Sequence, residues 1–421
     1  MTAIRAQSKR ILIATIGSLG DLHPCLALAA ELDRRGHRVT IASTPFYRSR
    51  VEALGIDFHP ICPDWDPADT EPIRLCEDLK KGPEVLYRKI VLPQLEDTYR
   101  DLLDAARGAD LMLAGEIVYA APLVAEKLAL RWISVILSPF SFFSSLDPSV
   151  MVNAPALIHL RKAGPAVYRL GLNIGRLATR HWSNPVRGLR RREGLRPQCD
   201  PVFRDKFSPY LVLALFSRWF AAAQKDWPPQ TVQPGFVFFE DRDADAASLS
   251  RAAEFLSSGD APIVFTQGST AVHNPGRFYE VSVAAARRVG RKAVLLGGTT
   301  NLEEDSDWLA LPYAPYSRIF PHAAVVVHQG GSGTVGEALR SRRPMLIVPY
   351  GWDQPDNAAR IERLGVGLHI ARTNYSVDTA AAALQSLLDD PQFSRRASEV
   401  GGQVAAEDGL TGACDAIESV L

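Results

Sequence analysis

The chain has 421 residues and a mass of 46.1 kDa, more than one ordinary core encloses and about what two domains need. Hydrophobic residues make up 47% and charged residues 22%, with 30 Gly and 29 Pro, the balance of a soluble globular protein. Lys plus Arg and Asp plus Glu are 47 each, with a pI near 7.1, so there is no cationic surplus to hold nucleic-acid phosphates. Cys25, Cys62, Cys76, Cys199 and Cys414 lie far apart with no Cys-x-x-Cys pair, which suggests neither a zinc site nor a disulfide framework and fits a reduced cytoplasm. No apolar stretch approaches the ~18 residues of a membrane span, and the run Ile11–Ile16 is too short for a signal peptide. A cytoplasmic protein is expected.

Arg10–Ile16 is a continuous apolar run, the mark of a strand buried on both faces. Gly17-Ser-Leu-Gly-Asp21 breaks it. Leu22, Leu26, Ala29, Ala30 and Leu32 then recur at helical spacing up to Arg35-Gly36, a basic residue followed by a C-cap glycine. Arg38–Ser43 is the next strand. Strand, turn, helix and strand make a βαβ unit, hence a parallel sheet with a right-handed crossover.

A second series begins near Pro262. Strands are expected at Ile263–Thr266, Lys292–Leu296, Ala324–His328 and Pro344–Val348, with a helix near Asp356–Leu364. Two βα series predict an α/β protein of two doubly wound domains, joined where Trp227-Pro-Pro-Gln-Thr-Val-Gln-Pro-Gly235 crowds proline with polar residues. Between them, Pro148–Arg192 holds nine Lys or Arg and no Asp or Glu. Two readings stand for it: a helical pair lining a cleft, its arginines reaching to water, or a basic amphipathic face meeting an anionic membrane or an acidic acceptor.

His328-Gln-Gly-Gly-Ser-Gly-Thr334 follows a buried strand and opens a helix. Its glycines let backbone approach a ligand, and the free N–H groups of a helix start attract anions. Ser332 and Thr334 add hydroxyls and His328 a ring N–H, a set suited to a diphosphate that gains charge as it leaves. A glycine turn alone is weak evidence, since many parallel sheets have one for steric reasons. Twenty residues on, Asp353 and Gln354 sit at the carboxyl end of the next strand, where open parallel sheets bind ligands. A carboxylate beside an amide suits neighbouring sugar hydroxyls; helix capping by Asp353 or Asp356 is the plainer alternative.

His-x-Gly-Gly-x-Gly-Thr followed by Val-Pro-x-x-x-Asp-Gln-x-x-Asn-Ala resembles the nucleotide-sugar glycosyltransferases of the GT-B fold, the inverting family 1 group. That group includes sterol, flavonoid, macrolide, glycopeptide and rhamnolipid glycosyltransferases. The turn Gly17–Pro24, the linker Asp226-Trp-Pro-Pro with Pro234-Gly-Phe236, and the C-terminal motifs fall in family order over most of the chain. The resemblance implies an acceptor-binding domain over 1–225, a linker over 226–240, a nucleotide-sugar domain over 241–405, and a tail helix over 406–421 returning to the first domain.

It implies that His328, Gly330, Gly331, Ser332, Gly333 and Thr334 contact the donor diphosphate, with Gly20, Gly268 and Ser269 on the facing turns. Tyr313 and Ala314 cup the pyrimidine, Asp353 and Gln354 hold the sugar, and Trp352 lies beside them. Many UDP-glucose members hold both ribose hydroxyls with a Glu eight residues after the motif histidine. Here that position is Gly336, and Glu337 follows, turned by about 100° on a helix. Glu337 stays on the donor side as a candidate, and UDP against dTDP stays open; Asp353-Gln354 favours UDP-glucose.

Family members carry His or Asp after the second glycine of the N-terminal turn, which here makes Asp21 the base that takes the acceptor's proton. An ordinary carboxylate is a weak base toward an alcohol, so a partner or partial burial is called for; His23 and Glu116 are the nearby candidates, with helix capping or structural hydrogen bonding the alternatives. Phe140, Phe142, Phe143, Met151, Tyr168 and Trp182 are enough to line an apolar acceptor pocket, for a phenolic, sterol-like or lipid hydroxyl. No cofactor and no metal are expected. No Asp-x-Asp pair is placed to hold a metal-bound diphosphate, Asp243-Ala-Asp245 being more simply solvated. A monomer or weak dimer is expected, cytoplasmic, with 148–192 the segment that would touch a membrane. Two rivals are a UDP-N-acetylglucosamine epimerase of the same fold and a non-catalytic auxiliary relative.

Overall fold

The computed structural model describes residues 8–64, 75–76, 78, 81–151, 154–197, 199–240, 245–268, 276–297 and 306–421. Seven strands form the first sheet: β1 (Arg10–Ala14), β2 (Arg38–Ser43), β3 (Asp57–Pro60), β4 (Leu111–Gly115), β5 (Trp132–Ile136), β6 (Leu211–Ala214) and β7 (Thr231–Val232). All pair in parallel, in the order β3-β2-β1-β4-β5-β6-β7. The second sheet contains β8 (Ile263–Thr266), β9 (Ala293–Leu296), β10 (Trp308–Leu311), β11 (Val325–His328), β12 (Met345–Ile347) and β13 (Gly367–His369). It is also parallel, in the order β10-β9-β8-β11-β12-β13. The central strands are buried on both faces, which is why they read as unbroken apolar runs.

Five helices position the site or flank it: α1 (Leu19–Arg34), α2 (Pro165–Thr179), α3 (Ser332–Arg340), α4 (Gln354–Leu364) and α5 (Gly409–Glu418). Helix α1 starts a turn earlier than the apolar spacing predicts. Ser18 and Asp21 form a capping box that fixes the start at Leu19 and leaves Pro24 inside the second turn. Strands β3, β5, β6, β7, β10 and β13 are absent from the sequence expectation.

In each sheet the strand order reverses once, between β1 and β4 and between β8 and β11. Crevices at the carboxyl ends of such strands are where α/β sheets bind ligands. Asp21 and Glu116 follow β1 and β4; Gly268 and His328 stand at the ends of β8 and β11. Helix α5 packs on α1 of the first sheet. Arg35 reaches Asp415 at 2.6 Å and Glu418 at 2.7 Å, and the His37 ring lies 3.0 Å from Glu418. Cys414 and Ile417 enter the core that contains Leu26 and Leu32.

Candidate active site

The turn after β1 is shaped around one carboxylate. Gly17 has φ +137°, and a Cβ there would stand 2.3 Å from Asp21 Oδ2, so only glycine lets the side chain fold back. Ser18 donates to Oδ2 from its N–H at 2.9 Å and its hydroxyl at 3.3 Å, while Oδ1 has no hydrogen bond among the described residues. Gly20 spends its N–H on the Ser18 hydroxyl at 3.1 Å. Burial pushes Asp21 up to about 6, and the charges of Asp353 and Glu116 add to the rise.

The other two N-terminal candidates have neighbours of their own. His23, two residues along α1 and so on the far side of the helix, has its ring 5.2 Å from that of Phe239 in the linker. Glu116 has both oxygens engaged: Lys206 pairs with one and the Ser141 hydroxyl donates to the other. The Lys206 ammonium is buried between the Phe143 and Phe207 rings, 4.8 and 5.3 Å from their centroids. Burial pulls its pKa down. Nothing in the sequence marks Lys206, a single lysine within Phe203-Arg-Asp-Lys-Phe207.

On the second sheet, His328 ends β11 fully buried. Gly330 N–H donates to its Nδ1 at 3.0 Å, so the proton of the neutral ring sits on Nε2. That Nε2 is buried with no hydrogen-bond partner among the described residues. Burial holds the ring's pKa down at about 3. Gly331 caps α3 without a side chain, and the first full-turn bond runs from Val335 N–H to the Gly331 carbonyl; the N–H groups of Ser332, Gly333 and Thr334 precede it. The Ser332 hydroxyl is occupied, donating to the Leu137 carbonyl of the first sheet at 2.7 Å. Thr334 is buried and Gly333 exposed.

Asp353 precedes α4, and burial raises it to about 6 against the pull of the Asn357 amide. Asn357 Nδ2 donates to Asp353 Oδ2 and to the Gly330 carbonyl, both at 2.9 Å, and so ties the glycine turn after β11 to the start of α4. The motif contains Asn357, but only the fold shows what it binds. Gln354 Oε1 accepts from the N–H groups of Tyr350 and Gly351 at 2.7 and 3.2 Å, closing a turn in which Trp352 has φ +61°. Ala314 is buried and Tyr313 39% exposed after β10. Ser269 lies outside the described residues, as does Asp243; Gly268 stands at the end of β8 with φ +67°.

Glu337 is already taken. Its carboxylate forms two hydrogen bonds to Arg340, at 2.7 and 3.1 Å, and Arg340 also reaches Glu240 at 2.7 Å and covers the Phe238 ring. Burial still raises Glu337 to about 7. A Cβ on Gly336 would meet the Phe236 ring at 2.9 Å. The linker phenylalanine therefore fills the space a longer side chain would need there.

Two family models match the chain: glycosyltransferase family 28 N-terminal domain over residues 11–129, and erythromycin biosynthesis protein CIII-like, C-terminal domain, over 308–417. O-mycaminosyltylonolide 6-deoxyallosyltransferase of Streptomyces fradiae is 31% identical, with 97% of each chain covered. A sterol 3-beta-glucosyltransferase of Arabidopsis thaliana is 28% identical over 97% of this chain and 65% of its own. The solved structure of the glycosyltransferase VinC in complex with DTDP superposes with a TM-score of 0.67 at 18% identity, covering 98% of this chain and 99% of that one. The chain belongs to the family 1 glycosyltransferases of the GT-B fold.

In this glycosyltransferase the six aromatic and apolar acceptor candidates separate into different roles. Phe142 is core, stacked on Trp227 at 4.0 Å and on Phe207 at 5.5 Å. Tyr168 is 1% exposed, its hydroxyl donating to the Ser149 carbonyl at 3.3 Å with buried Met151 beside it. Trp182 packs 6.0 Å from Tyr87 against the core of the first sheet. Phe140 and Phe143 are also half-buried, 5.8 Å apart, with the Phe143 ring against Lys206. Among the described residues no helix of the glycosyltransferase is long and apolar enough to cross a membrane.

Proposed function

We propose that this glycosyltransferase moves a sugar from a nucleoside diphosphate to a hydroxyl of a hydrophobic small molecule, inverting the anomeric carbon. The observation that carries the reading is the His328 Nε2–H, a neutral and buried donor without a partner among the described residues, beside the uncapped start of α3. An imidazole N–H and three backbone N–H groups are suited to two phosphates and to the charge they gain on leaving. Asp21, with a pKa near 6, is a stronger base than an ordinary carboxylate and keeps one oxygen open for the acceptor's proton. As that proton goes to Asp21, the acceptor oxygen bonds to the anomeric carbon and the nucleoside diphosphate departs from the opposite face. His328 and the helix start do the charge stabilisation, so no divalent cation is required in this scheme.

The donor we favour is a dTDP-sugar. Glu337 is held by Arg340 and Gly336 lies under Phe236, which leaves neither position free to hold two ribose hydroxyls; thymidine carries one fewer. The Streptomyces relative is named a 6-deoxyallosyltransferase, and VinC was crystallised with DTDP. UDP-glucose is the second reading, favoured by Asp353 beside Gln354, a pair suited to sugar hydroxyls. The first experiment is a thermal-shift comparison of dTDP, UDP and GDP, since a ligand of the native state raises its stability. Selective stabilisation by dTDP supports the reading, selective stabilisation by UDP overturns the donor choice, and no shift with any nucleotide overturns the donor site. Turnover of a nucleotide sugar without an acceptor would favour an epimerase instead.

A further inference from the structure

Helix α2 is built with two unlike faces. Tyr168 is fully buried, and on the same side the Leu157 and Leu160 side chains lie 2.7 and 2.8 Å from where a Gly171 Cβ would stand. On the opposite side Val167, Leu170, Ile174 and Leu177 fall within an arc of about 80° at 100° per residue. They are 40%, 61%, 61% and 69% exposed. Four large apolar side chains in one exposed stripe are a contiguous patch, not scattered surface hydrophobics.

The charge around this stripe has one sign. No acidic residue occurs from Pro148 to Arg192. Lys162 and Arg180 bracket the helix, both exposed and without an ion pair among the described residues, and Arg169 hydrogen-bonds only the neutral Ser145 hydroxyl. Arg176 alone on this helix is neutralised, by Asp200. An outward-facing apolar stripe flanked by uncompensated cations matches a surface that is apolar beneath and anionic at its polar boundary. We propose that α2 docks this glycosyltransferase on an anionic lipid bilayer, lying in the interface with Leu170, Ile174 and Leu177 inserted and Lys162, Arg169 and Arg180 at the headgroups. This docking stands independently of the transfer reaction and does not use its site.

The test is flotation of the full chain with vesicles of phosphatidylcholine alone or mixed with phosphatidylglycerol. Binding should require the anionic lipid and weaken as salt is raised, because the lysine and arginine attraction is screened. The combined Leu170→Asp, Ile174→Asp and Leu177→Asp variant should lose binding on the order of tenfold or more, with an unchanged thermal unfolding midpoint, since these side chains are exposed. Lys162→Glu with Arg180→Glu should remove the preference for phosphatidylglycerol. Equal binding to both vesicles, or full binding by the triple Asp variant, overturns the proposal. So does a chain that ignores vesicles but forms a dimer that the triple variant dissociates, because a second copy would then cover the stripe.

Discussion

Asp353 and Asp21 belong to different sheets, yet the charge of Asp353 is one of the causes that hold Asp21 at about 6. Asp353 itself stands at about 6, chiefly through burial. Two carboxyl groups with raised pKa values thus face one another from the switch points of the two sheets. Titratable groups shifted this way gather where chemistry is done.

Asp21→Asn should lower transfer by about 10²- to 10⁴-fold and leave nucleotide affinity unchanged. In the parent protein the rate should fall as pH drops through about 6, as the base is protonated. Stability should move the other way. A carboxyl whose folded pKa lies above its unfolded value costs stability once ionised, so this group's penalty is absent below 3.8 and complete above about 6. The Asn variant should therefore be more stable at neutral pH, by about 3 kcal/mol, with the difference vanishing near the ordinary carboxylate value. Thermal unfolding of both proteins across that range measures it; a constant difference would remove the buried-carboxylate explanation.

His328→Ala should weaken nucleotide binding by roughly 10- to 100-fold, the loss of a hydrogen bond to a charged group, and should slow turnover as well. The ring is held neutral down to about 3, so its resonances should not titrate between about pH 5 and 8, unlike an ordinary histidine. Calorimetry with the nucleotide and histidine NMR read the two effects separately. Unchanged affinity in the variant would remove His328 from the phosphate site.

Phe142 and Phe140 are two residues apart and should respond differently. Phe142→Ala removes a ring stacked on Trp227 and should cost about 3–5 kcal/mol of stability. Phe140→Ala, at a half-buried ring, should leave the unfolding midpoint close to the parent's and raise the acceptor KM. Equal destabilisation by both would mean that Phe140 is also core.

The α/β class and most central strands could be read from the sequence because parallel strands buried on both faces are unbroken apolar runs. Arg38–Ser43 and Ile263–Thr266 appear with the expected bounds, while β10 and β13 do not stand out from their surroundings. Residues at strand ends, such as Asp21, His328 and Asp353, could be read because glycine turns mark those ends. What decides how far each is free for chemistry lies at long sequence separation. Lys206 on Glu116 and Phe236 over Gly336 are pairings made by packing, without local spacing. The aromatic acceptor set divides for the same reason: apolar composition describes a core wall and a pocket wall equally, and Phe142 and Tyr168 are core, with half-buried Trp182 packed against it.

The two sheets are also joined beside Asp353 and Gln354, through a buried ionic cluster. Asp356 accepts from Val150 N–H at 2.8 Å and pairs with Arg360 at 2.8 Å, while Arg360 also pairs with Asp147. Arg363 reaches Asp147 at 3.1 Å. Asp356 and Arg360 are each 2% exposed, so removing one member leaves a buried charge uncompensated. Arg360→Met should cost about 3–5 kcal/mol, and adding Asp356→Asn to it should cost much less than the two single losses together. Asp147→Asn leaves the Asp356–Arg360 pair intact and removes a charge that holds the segment before Val150 against α4. If Asp353 and Gln354 hold the sugar as proposed, it should raise the donor KM more than it lowers kcat, because α4 begins at Gln354. Unfolding of the single and double variants, with steady-state kinetics of Asp147→Asn, separates a clamp between the sheets from a purely local ion pair; additive losses and an unchanged KM would mean the latter.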